Sequence, residues 1–306
     1  MSVMSGGDHS LGGGGLDGGG GHFADRVLRC IEEKEAPVCV GLDPVFEKLP
    51  DVFRVDGDSI DGVLAGIRGF CVGVLDAVAE WVPVVKFQAA CFERYRGAGV
   101  ELLYELIGEA KRRGLVVILD CKRGDIGISA AHYAAGIFGG DESPDAVTIN
   151  GYMGMDTVEP FVVEGCGVFV LVRTSNAGSD LVQGIETVDG GTVAERIANL
   201  LNEVADKHIG ESGYSSIGVV VGATKASEIA RLRKILPRSL FLVPGYGAQG
   251  GSAEDVRGCF DEYGRGAIIT ASRSVIYGFD EGDGDWVDGV RHAARLFHEE
   301  IRGVCL

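Results

Sequence analysis

Asp120, Lys122 and Asp125 fall within one hexapeptide of the run Leu119-Asp120-Cys121-Lys122-Arg123-Gly124-Asp125-Ile126-Gly127. The residues just before it, Leu115 to Leu119, form a short continuous apolar segment, as expected of a parallel strand covered on both faces. Strand alternation turns Asp120 and Lys122 one way and Cys121 and Arg123 the other. Asp125 lies just past the strand, where the chain turns toward a helical stretch. Two carboxylates and an ammonium thus gather at a strand C-terminus, where α/β barrels place their chemistry. The alternative is a structural ion pair between strand and helix.

The six histidines, at 9, 22, 132, 208, 292 and 298, all miss the predicted strand ends. That argues against a histidine-assisted nucleophile or a histidine metal site. His132 reads as a packing or capping residue of the helix after the third strand. Carboxylates and lysines are left to do the work.

These residues need a sheet to hold them. From Phe23 onward, apolar runs alternate with helical patterns. Val38–Asp43, Val84–Gln88, Leu115–Lys122, Ala146–Asn150, Val168–Thr174, Gly218–Thr224, Leu240–Gly245 and Ala267–Arg273 read as strands. Amphipathic segments such as Val100–Arg113 and Val193–His208 lie between them. Eight strand–helix units predict an α/β fold, a (β/α)8 TIM barrel forming one domain over residues 23–306. A doubly wound open sheet is the competing architecture. It lacks the G-x-G-x-x-G fingerprint after its first strand.

The C-termini of barrel strands share one mouth, and here they are polar. They supply Asp43, Lys86, Asp120 and Lys122, then Asn150, Arg173-Thr174-Ser175-Asn176, and Ser272-Arg273-Ser274. Each alone fits a surface or structural role equally well, and only their joint placement points to a site. The last two strand ends have the composition of a phosphate site. Gly245, Gly247, Gly250 and Gly251 let the backbone approach an anion closely. Gln249 can donate hydrogen bonds, and Arg273 can clamp an anion with two. The competing reading is a Gly-rich surface turn beside a solvated arginine.

The chain has 306 residues and a net charge of −17, which argues against a nucleic-acid partner. Its cysteines, at 30, 39, 71, 91, 121, 166, 259 and 305, include no C-x-x-C pair. They read as thiols in a reducing compartment rather than a disulfide framework or zinc site. No apolar run approaches the roughly 18 residues of a membrane span. The N-terminus lacks a basic-then-apolar signal, so the expected location is the cytoplasm. Residues 1–22 hold ten glycines and read as a disordered tail.

The motif Asp120-x-Lys122-Arg123-Gly124-Asp125-Ile126-Gly127 resembles the D-x-K-R-x-D-I-G signature of orotidine 5′-phosphate decarboxylases, in their longer bacterial and archaeal subtype. The resemblance extends through Val40-Gly41-Leu42-Asp43-Pro44, Lys86-Phe87-Gln88 and Thr174-Ser175-Asn176. It continues in Val243-Pro244-Gly245-Tyr246-Gly247-Ala248-Gln249-Gly250-Gly251 and Ser272-Arg273-Ser274, all in the family's order. It implies a homodimeric barrel that converts orotidine 5′-monophosphate to uridine 5′-monophosphate and CO2, with no cofactor and no metal. Lys122 would be the proton donor in an array with Lys86, Asp120 and Asp125, and Asp125 would serve the neighbouring subunit. Asp43 would meet a ribose hydroxyl and Ser175 the pyrimidine, while Gln249 and Arg273 would meet the phosphate. Ile126, Ser129 and Ser272 match further substrate-contact positions, with Ser129 keeping a hydroxyl where the family usually has Thr. Gly151 and Ala177 stand where the family often has Pro. The alternatives are a metal-dependent sugar-phosphate decarboxylase or synthase of the same superfamily, a Schiff-base aldolase using Lys122, and a catalytically silent nucleotide-binding barrel.

Overall fold

The computed structural model describes residues 21–54, 59–247, 251–280 and 285–305. Eight parallel strands close into a barrel in chain order. They are β1 (Val38–Leu42), β2 (Val84–Gln88), β3 (Val116–Arg123), β4 (Ala146–Ile149), β5 (Gly167–Arg173), β6 (Ser215–Val221), β7 (Ser239–Val243) and β8 (Ala267–Ala271). β8 returns to β1 through the register Cys39↔Thr270. The eight predicted strands are all present, and the open sheet is excluded. Around them run α1 (Phe23–Lys34), α2 (Ile60–Val78), α3 (Ala90–Glu93), α4 (Arg96–Arg112), α5 (Gly127–Phe138), α6 (Asp180–Gln183), α7 (Val193–Ala205), α8 (Ala226–Ile235), α9 (Ala253–Arg257), α10 (Arg273–Ile276) and α11 (Trp286–Cys305).

Burial on both faces explains why the strands read as unbroken apolar runs. Residues such as Val84, Ile118, Ala146, Phe169, Val220 and Leu242 pack into one cluster with Phe23, Val27 and Leu28 of α1. Val85, Val117, Val147, Val170 and Val219 belong to a second cluster, shared with the surrounding helices. Helix α1 closes the N-terminal end of the barrel. Phe23 meets Phe169 edge-on at 5.9 Å, and a Cβ on Gly167, the first residue of β5, would fall 2.3 Å from the Phe23 ring. The opposite mouth is thereby left for the site.

Strand starts fall within one residue of the expectation except at β6. β6 starts at Ser215, earlier than predicted, because its polar leader is satisfied inside the fold. The Ser215 hydroxyl donates to the Ala205 carbonyl at 2.8 Å and accepts from the Ile217 amide at 3.0 Å. Of the glycine-rich tail, residues 1–20 lie outside the described residues. Gly21 and His22 are described, and His22 Nε2 lies 2.9 Å from the His208 carbonyl.

Candidate active site

Strand β3 is irregular where its chemistry begins. Its register with β4 shifts between Leu119 and Arg123, and Lys122 adopts a left-handed φ of 46°. That conformation is costly for a side chain with a Cβ and persists only where neighbours hold it. The Lys122 amide donates to Thr148 Oγ1 at 3.0 Å. On the outer side Arg123 pairs with Glu93 and lies over the Tyr133 ring at 5.7 Å. The alternation expected at this strand end therefore survives the bulge, with Asp120 and Lys122 inward and Cys121 and Arg123 outward.

Asp120 joins two ammoniums. Lys86 Nζ donates to Asp120 Oδ2 at 2.9 Å and Lys122 Nζ to Oδ1 at 2.6 Å. The Thr148 hydroxyl adds a third hydrogen bond to Oδ1 at 2.8 Å. Side-chain exposure is 7% for Lys86, 10% for Asp120 and 46% for Lys122, so of the three Lys122 is by far the most open to solvent. Burial alone would raise the Asp120 pKa, but Lys86 and Lys122 hold it far below the carboxylate range. Burial would likewise lower that of Lys86, and the charges of Asp120 and Asp43 outweigh it and raise it. Both groups are therefore charged at neutral pH.

Asp43 follows β1 at the same mouth. Burial raises its pKa against the opposing influence of Lys86, Ser272 and Arg273. Its Oδ1 is buried without a hydrogen-bond partner. An acceptor so placed at the cavity suits a hydroxyl donor. Gly41 makes the close approach possible, since a Cβ there would fall 2.1 Å from Ser272 Oγ.

Asp43, Lys86, Asp120, Lys122, Ser175 and Ser272 line one cavity of about 610 Å³, with Arg273 also on its wall. That volume suits a mononucleotide-sized ligand. Arg273 opens α10 and is exposed. It forms no ion pair among the described residues, whereas both lysines do. Gln249 lies outside the described residues, but its loop neighbours Pro244, Gly245 and Tyr246 line the same cavity.

Asp125, Ile126 and Ser129 do not join this cluster. Asp125 Oδ1 accepts from the Ile126 amide at 2.8 Å, and Asp125, Ser129 and His132 line a separate shallow surface pocket. Ile126 is 60% exposed. His132, expected to pack or cap, is exposed instead. Arg173 is not a site residue either. A bulge in its pairing with β6 sends its side chain outward to Glu228 at 2.8 Å and to Ser179 at 2.8 Å. It braces the loop that carries Ser175.

Sequence reasoning missed Thr148 and Thr270, which line the cavity from β4 and β8. Each lies two residues before a polar strand end, Asn150 and Ser272, and so shares its face. That parity was the available signal. Among the described residues, no group of three or more His, Cys, Asp or Glu is placed to hold a metal ion. All eight cysteines carry free thiols.

The model of the "Orotidine 5'-phosphate decarboxylase / HUMPS family" matches residues 36–280. A relative from Rhodopirellula baltica, named orotidine 5′-phosphate decarboxylase, is 41% identical over 301 residues, covering 92% of this chain and 99% of its own. One of the same name from Caldicellulosiruptor saccharolyticus is 39% identical over 279 residues, covering 84% and 90%. The solved structure of Leishmania donovani OMP decarboxylase superposes with a TM-score of 0.72 at 28% identity, covering 93% of this chain and 98% of that one.

Proposed function

The chain belongs to the orotidine 5′-phosphate decarboxylase / HUMPS family, and we propose that it converts orotidine 5′-monophosphate to uridine 5′-monophosphate and CO2. The observation that carries this reading is the chain Lys86–Asp120–Lys122 at the cavity wall, together with Arg273, which lines the same cavity and forms no ion pair among the described residues. The bond from pyrimidine C6 to its carboxylate breaks and its electron pair stays on C6, in the ring plane, where the ring π system cannot spread it. A fixed ammonium beside C6 stabilises that charge and then gives it a proton. Lys122 suits the role, because it reaches the cavity while Asp120 keeps it oriented. The resulting neutral lysine regains its proton from solvent.

Arg273, Gln249 and the glycine-rich turn after β7 take the phosphate. Asp43 and Ser272 take ribose hydroxyls, and Ser175 takes the pyrimidine. Binding energy at the phosphate assembles the reacting end. No cofactor or metal enters this scheme.

The enzyme works as a homodimer in which Asp125 completes the neighbour's array. Two observations support this. Asp125, Ile126 and Ser129 face away from their own cavity. Around them Ile126, Ile128, Tyr133, Tyr152 and Met153 expose 43–75% of their surface, an apolar face suited to a second copy. The free thiols accord with a cytoplasmic location.

The test is direct. Purified protein is mixed with orotidine 5′-monophosphate and EDTA, and the ultraviolet change is followed as CO2 leaves. Steady turnover in wild type and silence in Lys122→Ala support the reading. A wild-type protein that binds the nucleotide without decarboxylating it refutes it, and activity abolished by EDTA points to the metal-dependent branch of the superfamily.

A further inference from the structure

Strand β4, Ala146-Val147-Thr148-Ile149, is buried throughout, and Thr148 is 1% exposed. A hydroxyl in such a place needs partners, and both of its partners belong to the reacting array. Thr148 Oγ1 donates to Asp120 Oδ1 at 2.8 Å and accepts from the Lys122 amide at 3.0 Å. Only a hydroxyl can do both from a single atom: an ammonium lacks the acceptor, a carboxylate lacks the donor, and an amide divides the two roles between its oxygen and nitrogen.

These two bonds act where the array is weakest. Lys122 holds a left-handed φ of 46°, at the point where β3 and β4 lose register between Leu119 and Arg123. At that break in register the Thr148 oxygen holds the Lys122 amide. Oδ1 of Asp120 is also contested. Lys122 Nζ lies 2.6 Å from it, and partial rotation of the carboxylate would swing its oxygens away from both lysines. A donor from β4 to Oδ1 fixes that rotation, leaving Oδ2 for Lys86 at 2.9 Å.

We propose that Thr148 is a positioning residue that sets both the carboxylate rotation of Asp120 and the backbone turn that aims Lys122 at the reacting carbon. This rests on Lys122 being the proton donor. A side chain that acts only on the donor's aim affects the transition state more than bound nucleotide, because the phosphate and ribose contacts lie elsewhere in the cavity.

The experiment compares wild type, Thr148→Val and Thr148→Ser. Valine keeps the volume and removes the hydroxyl, whereas serine keeps the hydroxyl. Turnover of orotidine 5′-monophosphate and the Kd for uridine 5′-monophosphate are measured for each, with melting temperature as a check. Loss of a hydrogen bond to a charged group is worth roughly 10- to 100-fold in rate. The expected result is therefore a kcat about 10- to 100-fold lower in Thr148→Val, with Kd within about threefold and recovery toward wild type in Thr148→Ser. If Thr148→Val does not fold, Thr148→Cys, of similar volume and weak hydrogen-bonding power, takes its place with the same expected loss. A valine or cysteine variant within threefold of wild-type kcat overturns the inference. So does a Kd that weakens in step with kcat, or a serine variant as slow as valine. A wild type inactive toward orotidine 5′-monophosphate overturns the proposed function itself, whereas an active wild type with an indifferent Thr148 overturns only this inference.

Discussion

Asp120→Asn changes one atom type at the centre of the site, and its consequences follow from distance and burial. The carboxylate sits 2.9 Å from Lys86 and 2.6 Å from Lys122. At an effective dielectric of about 20, each contact is a gross attraction of about 6 kcal/mol. The Lys122 share is reduced by solvent, since that side chain is 46% exposed. Lys86 has no such relief at 7% exposure, and removing one partner of a buried pair typically costs about 3–5 kcal/mol. In wild type the raised Lys86 pKa gives stability present below its unfolded value and lost only as pH rises through the folded one, in strong alkali. The depressed Asp120 pKa gives stability present above the ordinary carboxylate range and lost in strong acid. Between these limits the melting temperature is insensitive to this pair. In Asp120→Asn the burial that lowers Lys86 is opposed chiefly by Asp43, so its folded pKa is expected to fall below the ordinary lysine value. The unfolded state then binds more protons, and stability rises with pH between about 7 and 10. Activity falls at least about 1000-fold, the equivalent of about 4 kcal/mol. Thermal melts at several pH values and turnover assays check both. A variant with wild-type pH dependence of melting, or with turnover within tenfold of wild type, would refute the electrostatic reasoning.

Arg273→Ala removes the only cation at the cavity without a carboxylate partner among the described residues, and should lower kcat/KM by roughly 100-fold or more, with partial rescue by free guanidinium. Lys122→Ala and Asp125→Asn should each be inactive alone. Mixed after dissociation they should regain about one quarter of wild-type activity, since half the dimers carry one intact site out of two; no recovery excludes a shared site. Gly41→Ala should cripple nucleotide binding while leaving the barrel folded, because its new Cβ displaces the Ser272 hydroxyl beside Asp43; unchanged Kd for uridine 5′-monophosphate counts against that geometry. Arg233 is buried with its guanidinium on the carbonyls of Cys259, Leu236, Ser239 and Gly266. Its replacement by Ala should cost about 3 kcal/mol, a melting loss of roughly 6–12 °C for a domain of this size, with kcat unaffected in the surviving folded protein.

The barrel was legible because all eight strands are buried on both faces, which writes them as apolar runs. Ser215 and Ser216 break the apolar pattern, yet the Ser215 hydroxyl donates to the Ala205 carbonyl and the Ser216 amide to the His208 carbonyl, partners that no local pattern reveals. Asp120, Lys122 and Lys86 could be read from strand parity, and the structure brings them together. Arg173 obeyed the same parity on paper and failed it in space, because a bulge in its pairing turned it outward. Bulges leave no period-two signature in the sequence. The left-handed Lys122 was equally invisible, as no glycine marks it. Thr148 was overlooked because an apolar-run reading counts one threonine among valines as filler, although its partners lie 26 and 28 residues away.

The division of charge along the cavity explains how a chain of net charge −17 can bind and turn over a polyanion. At one end, two ammoniums are already matched to Asp120, with Asp43 close by. That end offers little net attraction to the substrate carboxylate in the ground state. At the other end Arg273 forms no ion pair among the described residues, and in the proposed scheme it meets the phosphate. Affinity is thus supplied far from the reacting carbon. In the proposed mechanism the paired lysines become useful only when CO2 has gone and a localised negative charge stands beside Lys122. An interaction realised late lowers the barrel's barrier to reaction without deepening the well the substrate starts from. Were the pairing reversed, with Arg273 neutralised and Lys122 bare, the same residues would grip the substrate by its carboxylate and turn orotidine 5′-monophosphate over slowly.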